Sequence, residues 1–340
     1  MSIPIRSFDP APLTVGETTV APGSRARTQI DLLELADGTK VRLSVAAING
    51  TRPGPRLYLG AAIHGDEVNG VAILAEALAD IDPARLRGSI LSVPVQHPLA
   101  FHADHRIPLS QFIKSPLDQS PIDAWTCFPG NPAGNLAETV AATLFGLIHQ
   151  CSCGIDIHTP TRGGRYVPIA ILPSMALGAG AEAAAWLAEQ FATGYVMKTN
   201  TGMYVGNGIL CVEATKAGVP AFTCEVGEGG RLERPIIDEG VRCVRNALVG
   251  LGMIEGERWL PAVNHVMREF LGIRARRGGL LHTVAELGTE VEPGQVLARI
   301  VDIFGDTVEM VTAPAPGIFV RATTLPTVST GERAATLGLL

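Results

Sequence analysis

Two histidines and a glutamate stand out in this chain by type and spacing. His64 directly follows the apolar run 56–63 and opens the segment His64-Gly65-Asp66-Glu67. Gly65 would let the backbone turn at once after a strand. If a helix begins there, Glu67 returns at i+3 on the same side as His64. One imidazole and one carboxylate at that spacing suit a zinc ion. His158 ends a second apolar run, Gly154-Ile155-Asp156-Ile157-His158, in which Asp156 shares its face through the period of two. His64, Glu67 and His158 would make a set of two imidazoles and one carboxylate. A catalytic zinc takes three protein ligands and keeps one position for water. Such a water needs a base, and its leaving group needs an acid. The run 219–226 closes in Cys224-Glu225-Val226-Gly227-Glu228-Gly229-Gly230. Glu225 lies in an apolar strand end, where a carboxylate is out of place unless it works. Glu228 is its rival, expected to be solvated in a Gly-rich loop.

The elements that must position these residues alternate. Strands are expected at 26–35, 40–48, 56–63, 88–95, 154–158, 167–172 and 219–226. Helices are expected at 67–82, with Val68, Val71, Ala72, Ala75 and Leu78 on one face, and at 135–150, 177–193 and 235–252. The last starts at Pro235, a favoured first position, and turns Ile237, Val241, Val244, Leu248 and Leu251 to one side. Strands alternating with helices argue for an α/β sheet that is parallel at least in part, with its site at the carboxyl ends of the strands. The first 25 residues show no period and read as an arm. Residues 96–133 hold Pro98, Pro108, Pro116, Pro121, Pro129 and Pro132, and a long irregular stretch inside a compact domain is usually functional. From about residue 266 short apolar runs are punctuated by Gly and Pro, which marks a small all-β unit.

Composition narrows the function classes. The chain has 340 residues, 46% hydrophobic and 18% charged, and a net charge of -6. That argues against nucleic acid or an anionic membrane as the main partner. No apolar run reaches transmembrane length, and the opening MSIPIRSFDPAPL lacks the regions of a signal peptide. A cytoplasmic location is the expectation. The six cysteines do not form a disulfide framework, and Cys151 and Cys153 read as small buried residues at a strand start.

Gly60-Ala61-Ala62-Ile63-His64-Gly65-Asp66-Glu67-Val68-Asn69-Gly70, then Asp156-Ile157-His158-Thr159, then Thr223-Cys224-Glu225-Val226-Gly227-Glu228-Gly229-Gly230 resembles the succinylglutamate desuccinylase/aspartoacylase family in order and spacing. The resemblance covers about residues 50–255. It implies a zinc hydrolase with a zinc carboxypeptidase-like α/β fold, a mixed sheet flanked by helices. It implies one zinc at His64, Glu67 and His158, and Glu225 as the acid/base. The substrate loop departs from the family pattern of N-P-x-A, an Arg, and an Asn-Arg pair before F-P-G. His97-Pro98-Leu99-Ala100, Arg106 and Phe128-Pro129-Gly130 match, but Asp123-Ala124-Trp125-Thr126-Cys127 replaces the Asn-Arg pair. In the family that pair helps hold a substrate carboxylate. Arg106 is then the expected substrate-binding anchor, with Arg162 and Arg165 as alternatives.

Gly278-Gly279-Leu280-Leu281, Val291 to Leu297 and Ala313 to Gly317 resemble a biotinyl/lipoyl-type barrel. The expected hairpin tip, Thr307 to Val311, has no lysine, and none occurs after Lys216, so a structural or lid role is left. The expected organisation is a catalytic domain with a β arm over 1–262 and a barrel-like all-β domain over 266–340. The expected function is a zinc-dependent deacylase that hydrolyses the linear amide of an N-acyl amino acid or related N-acyl amine. The alternatives are a carboxypeptidase-type metallopeptidase and a non-catalytic zinc-containing binding protein. The oligomeric state is open.

Overall fold

The computed structural model describes residues 5–110 and 122–340. Pro116 and Pro121 of the irregular stretch lie outside them. Across the main sheet the strands run Glu269–Arg274, Arg333–Leu339, Gly317–Thr323, Gly164–Ile171, Ala221–Glu228, Cys153–His158, Arg52–Ala61, Arg87–Val93, Lys40–Asn49 and Ser24–Glu34. The four from Ala221–Glu228 to Arg87–Val93 are mutually parallel. The strands of this order that flank them pair antiparallel. The sheet is therefore mixed, with a parallel centre whose carboxyl ends open on one edge.

Both faces of the parallel centre are buried, so its strands are apolar at nearly every position. Tyr58, Leu91 and Val93 face one core, where Val140 and Leu144 of the helix Leu136–Ile148 pack. Leu57, Leu59, Ile155 and Phe222 face the other, under the helices Asn69–Ala77, Ala179–Phe191 and Arg234–Gly250. The Leu136–Ile148 helix is started by a capping box: Asn135 accepts from the Glu138 N–H at 3.1 Å, and Glu138 accepts from the Asn135 N–H at 2.9 Å.

The helix expected over 67–82 begins instead at Asn69 and turns a different stripe inward. Ile73, Leu74, Ala77 and Leu78 are buried, while Ala75 is exposed. The segment is apolar on two adjoining stripes, so periodicity alone could not choose between them. The strand Ala221–Glu228 runs past its expected end and takes Glu228 into the sheet. The helix Leu210–Lys216 and the strand Tyr195–Met197 were not anticipated. They are seven and three residues long, too short for a period to show. Part of the N-terminal arm is also strand, at Leu13–Val15 and Thr18–Val20.

The C-terminal region is antiparallel β. One sheet of it joins Thr307–Thr312, Val296–Val301, Gly279–Thr283 and Thr327–Val328. Its other strands continue the main sheet, because Gly317–Thr323 pairs with Gly164–Ile171. The hairpin tip expected at 307–311 is a strand. The turn before it carries Ile303 and Phe304, each 84% exposed. No described helix is long and apolar enough to cross a membrane.

Candidate metal centre and its neighbours

His64 and Glu67 lie on a tight turn after the strand Arg52–Ala61, not on a helix. The Glu67 N–H donates to the His64 carbonyl at 3.2 Å. Ala62 starts the turn with φ of 48°, a left-handed conformation that costs roughly 1–2 kcal/mol for an L-residue. The Gln96 and His97 N–H groups hold it there by donating to the Ala61 and Ala62 carbonyls at 2.9 and 3.2 Å. Gly65 serves close approach rather than an unusual φ, since a Cβ there would run into the Ala100 carbonyl. The turn also ties neighbouring loops together. The Arg162 N–H donates to Asp66 Oδ2 at 2.8 Å, the Thr159 N–H to Glu67 Oε2 at 3.1 Å, and Asn69 Nδ2 to the Glu228 carbonyl at 3.0 Å.

His64, Glu67 and His158 converge, each offering a ligand atom within 4.8 Å of the others. Both Nδ1 atoms face Glu67, His64 at 2.7 Å from Oε1 and His158 at 3.0 Å from Oε2. Each Nε2 faces an outer carboxylate, His64 that of Asp123 at 3.2 Å and His158 that of Asp156 at 2.9 Å. Asp156 is held in turn by Gln96 Nε2 at 2.9 Å, which also donates to the Tyr58 hydroxyl at 3.0 Å. A carboxylate behind an imidazole fixes its orientation and raises its basicity as a ligand.

The electrostatics fit a divalent cation. Burial opposes the charge on both histidines, yet Glu67 and the outer carboxylates raise their pKa values above the usual range. Burial would likewise push Glu67 up, but the two imidazoliums pull it down to about 2. The carboxylates thus call for about two positive charges at this point. Two nitrogens and a carboxylate are a donor set that zinc accepts, and binding it would release those protons.

Glu225 lies beside this group. It pairs with His158 across the parallel ladder, is buried, and accepts from the Tyr204 hydroxyl at 2.7 Å through Oε1. Burial, reinforced by the charge on Glu67, pushes it up to about 7. Among the described residues its Oε2 meets no partner, nor do the buried Trp125 Nε1 and both ring nitrogens of His97. Burial lowers the His97 pKa to about 4. Glu228 is not the solvated loop residue expected. It is buried, with Thr324 Oγ1 donating to it at 2.8 Å and Arg231 and Arg165 at 3.5 and 3.8 Å.

Trp125 lies 5.8, 5.7 and 5.4 Å from the rings of His64, His158 and Tyr204. Arg106 is close by, 35% exposed, with Nη2 2.7 Å and Nε 2.9 Å from Asp123 Oδ2. Arg162 is paired with Asp104, and Arg165 with Glu233. Cys151 and Cys153 are buried free thiols, their pKa values raised by burial. Sequence reasoning passed over Asp123, Gln96 and Tyr204 as site residues. Asp123 had one signal, its place just before Phe128-Pro129-Gly130.

The sequence profile of the succinylglutamate desuccinylase/aspartoacylase catalytic domain matches residues 53–251. The chain belongs to this family. An N-alpha-acetyl-L-2,4-diaminobutyric acid deacetylase of Halomonas elongata is 24% identical over 257 residues, 74% of this chain and 71% of that one. Among solved structures, the product-bound ectoine utilization protein EutE (DoeB) of Ruegeria pomeroyi superposes with a TM-score of 0.80 at 22% identity, covering 98% of this chain and 99% of that one. A succinylglutamate desuccinylase/aspartoacylase of Rhodobacter sphaeroides does so with a TM-score of 0.78 at 21% identity, over 93% and 95%. At these identities the two structures speak to the fold.

Proposed function

We propose that the protein is a zinc-dependent deacylase that hydrolyses the amide of an N-acyl amino acid or related N-acyl amine. The observation that carries this reading is the convergence of His64, Glu67 and His158 beside the half-satisfied carboxylate of Glu225. Membership in a family of deacylases supports it, as does a relative named as a deacetylase of an acetylated diamino acid. The two histidines and Glu67 would hold one zinc. When bound, zinc supplies Lewis acidity toward a carbonyl oxygen and toward water. Glu225 takes the proton of the attacking water on Oε2 and delivers it to the departing nitrogen. Burial raises its pKa in the metal-free protein, which favours its taking up the proton that it passes on. Tyr204 holds the other oxygen of Glu225, so that Oε2 is the one presented.

Arg106 we assign to substrate binding. Asp123 already meets its charge, so it is better suited to donating to an uncharged oxygen of the acyl group than to clamping a free carboxylate. We read residues 1–262 as the catalytic domain and 266–340 as a barrel-like β domain that walls the cleft.

The test is purified protein, analysed for metal and assayed for free amine on N-acetyl and N-succinyl amines and amino acids. We expect about one zinc per chain, most of it lost in His64→Ala and in His158→Ala. Full zinc retention in both variants would mean the ligands are wrong. A zinc-loaded protein inert on the whole panel would sink the deacylase reading.

A further inference from the structure

The arginines nearest the catalytic strands fall into two groups. Arg106, Arg162 and Arg165 are ion-paired with Asp123, Asp104 and Glu233. Arg321 and Arg333 have no carboxylate partner among the described residues. The hydrogen bond Arg321 makes is from Nη1 to Thr323 Oγ1, at 3.4 Å. Together with Arg162 and Arg274 they line a cavity of about 590 Å³. The acidic side chain on its wall, Glu332, accepts the Ser329 N–H at 2.6 Å.

Sheet register brings Arg321 near the chemistry. Arg321 pairs with Tyr166, and Tyr166 pairs with Gly227, which lies two residues beyond Glu225 across an irregularity in the ladder. Adjacent strands are about 4.8 Å apart, so Arg321 starts two strands from the carboxylate, and its guanidinium lies over Gly164 of the intervening strand. Space has been left for its fork: a Cβ at Gly164 would run into the Arg321 guanidinium. Electrostatics agree. Burial lowers the Arg321 pKa and Arg333 lowers it further, while Tyr166, Tyr204 and Glu225 pull it back. A half-buried guanidinium beside a second, exposed one, with no ion-pair partner among the described residues, is costly, and a bound carboxylate would relieve it.

We infer that Arg321, backed by Arg333, is the anion anchor that takes the place of the missing Asn-Arg pair, receiving the substrate's carboxylate on the wall that the C-terminal β region supplies. The inference rests on the deacylase reading. The carboxylate belongs either to the amino acid or to a dicarboxylic acyl group, and the substrates below separate the two.

Zinc-loaded wild type, Arg321→Gln, Arg321→Lys and Gly164→Ala are compared on N-acetyl-L-amino acids, on their carboxamides, and on N-succinyl amines that lack an amino-acid carboxylate. Arg321→Gln should raise KM on the acids about 10–100-fold, the loss expected when a charge-assisted hydrogen bond goes, and leave the carboxamides almost unchanged. Arg321→Lys should recover part of it, since lysine cannot make the fork. Gly164→Ala keeps the charge but displaces the fork, so it should fall between them and guard against a folding artefact. A penalty on the N-succinyl amines alone would also support the anchor and assign it to the acyl carboxylate. Equal penalties on charged and uncharged substrates, or none on either, would overturn the inference. Calorimetric titration with L-alanine, L-glutamate and L-alaninamide adds a readout free of turnover. Weaker binding of the two acids to Arg321→Gln, with no hydrolysis of any substrate by wild type, would keep the anion site and discard the deacylase reading.

Discussion

Asp156→Asn separates charge from shape behind the candidate metal group. Asp156 is buried, with Oδ2 against His158 Nε2 at 2.9 Å and Oδ1 against Gln96 Nε2 at 2.9 Å. Asparagine has the same outline and still offers an oxygen to His158. Its amide nitrogen would then face Gln96, whose Oε1 has no partner among the described residues. Rotating the Gln96 amide presents that oxygen to the introduced amide nitrogen, and the Tyr58 hydroxyl can donate to it in turn. The fold should therefore tolerate the change while His158 loses a full negative charge. Losing the outer partner of a ligating histidine typically costs about 10–100-fold in metal affinity, or about 1.4–2.8 kcal/mol. Asparagine keeps the hydrogen bond, so about tenfold is expected. Asp156→Ala removes bond and charge together, for about 100-fold, and strands buried donors at a further cost of about 1–3 kcal/mol in stability. Asp123→Asn should cost less than Asp156→Asn, because Asp123 is 21% exposed and shares its charge with Arg106. The assay is competition for zinc against a chromophoric chelator, with melting of the metal-free proteins alongside. Wild-type affinity in Asp156→Ala, or a larger loss in Asp123→Asn than in Asp156→Asn, would refute the reasoning.

Glu225→Gln should keep zinc and fold but lose about 10²–10⁴-fold in kcat, the usual share of a general acid/base; near wild-type turnover, with Glu228→Gln inactive, would mean the wrong carboxylate was chosen. The base works deprotonated, so kcat/KM should fall as pH drops through the Glu225 pKa, which burial sets at about 7 without metal and a bound dication moves lower. The Tyr204 hydroxyl lowers that pKa, so Tyr204→Phe should shift the acid limb of the pH–rate profile upward, and an unmoved or lowered limb would count against the pairing. Deleting residues 266–340 should leave all four proposed metal and acid/base residues in the chain but bare the edge of the Gly164–Ile171 strand and the apolar Ile169, Ile171 and Met197 beneath it. Light scattering should then report aggregation, and a monodisperse truncate with unchanged kinetics would remove the cleft-wall role.

What could be read from the sequence divides along a physical line. His158 ends a buried strand, His64 and Glu67 follow the end of another, and Glu225 lies in the second half of a third. A parallel centre brings such ends together whatever the loops do, so apolar runs and their last residues pointed to side chains that lie together in the fold. The groups that tune them come from irregular chain. Asp123 and Trp125 belong to the turn around Ala124–Thr126, Tyr204 lies in the turn Met203–Val205, and Gln96 stands between a strand and the His97-Pro98-Leu99-Ala100 run. Their positions depend on tertiary contacts that leave no period. Glu228 shows the converse: its glycine neighbours suggested a solvated loop, yet pairing with Arg165 across the ladder draws it into the sheet. The same ladder runs on to Arg321. The C-terminal region read as a separate all-β unit, and its texture does set it apart. Yet three of its strands extend the sheet that carries His64, Glu67 and His158, which brings an arginine from near the end of the chain to two strands from a carboxylate at its centre. A sequence can report where one element stops and the next texture begins. Whether hydrogen bonds then cross that boundary depends on strand edges meeting in space, and the anion specificity proposed for Arg321 rests on such a crossing.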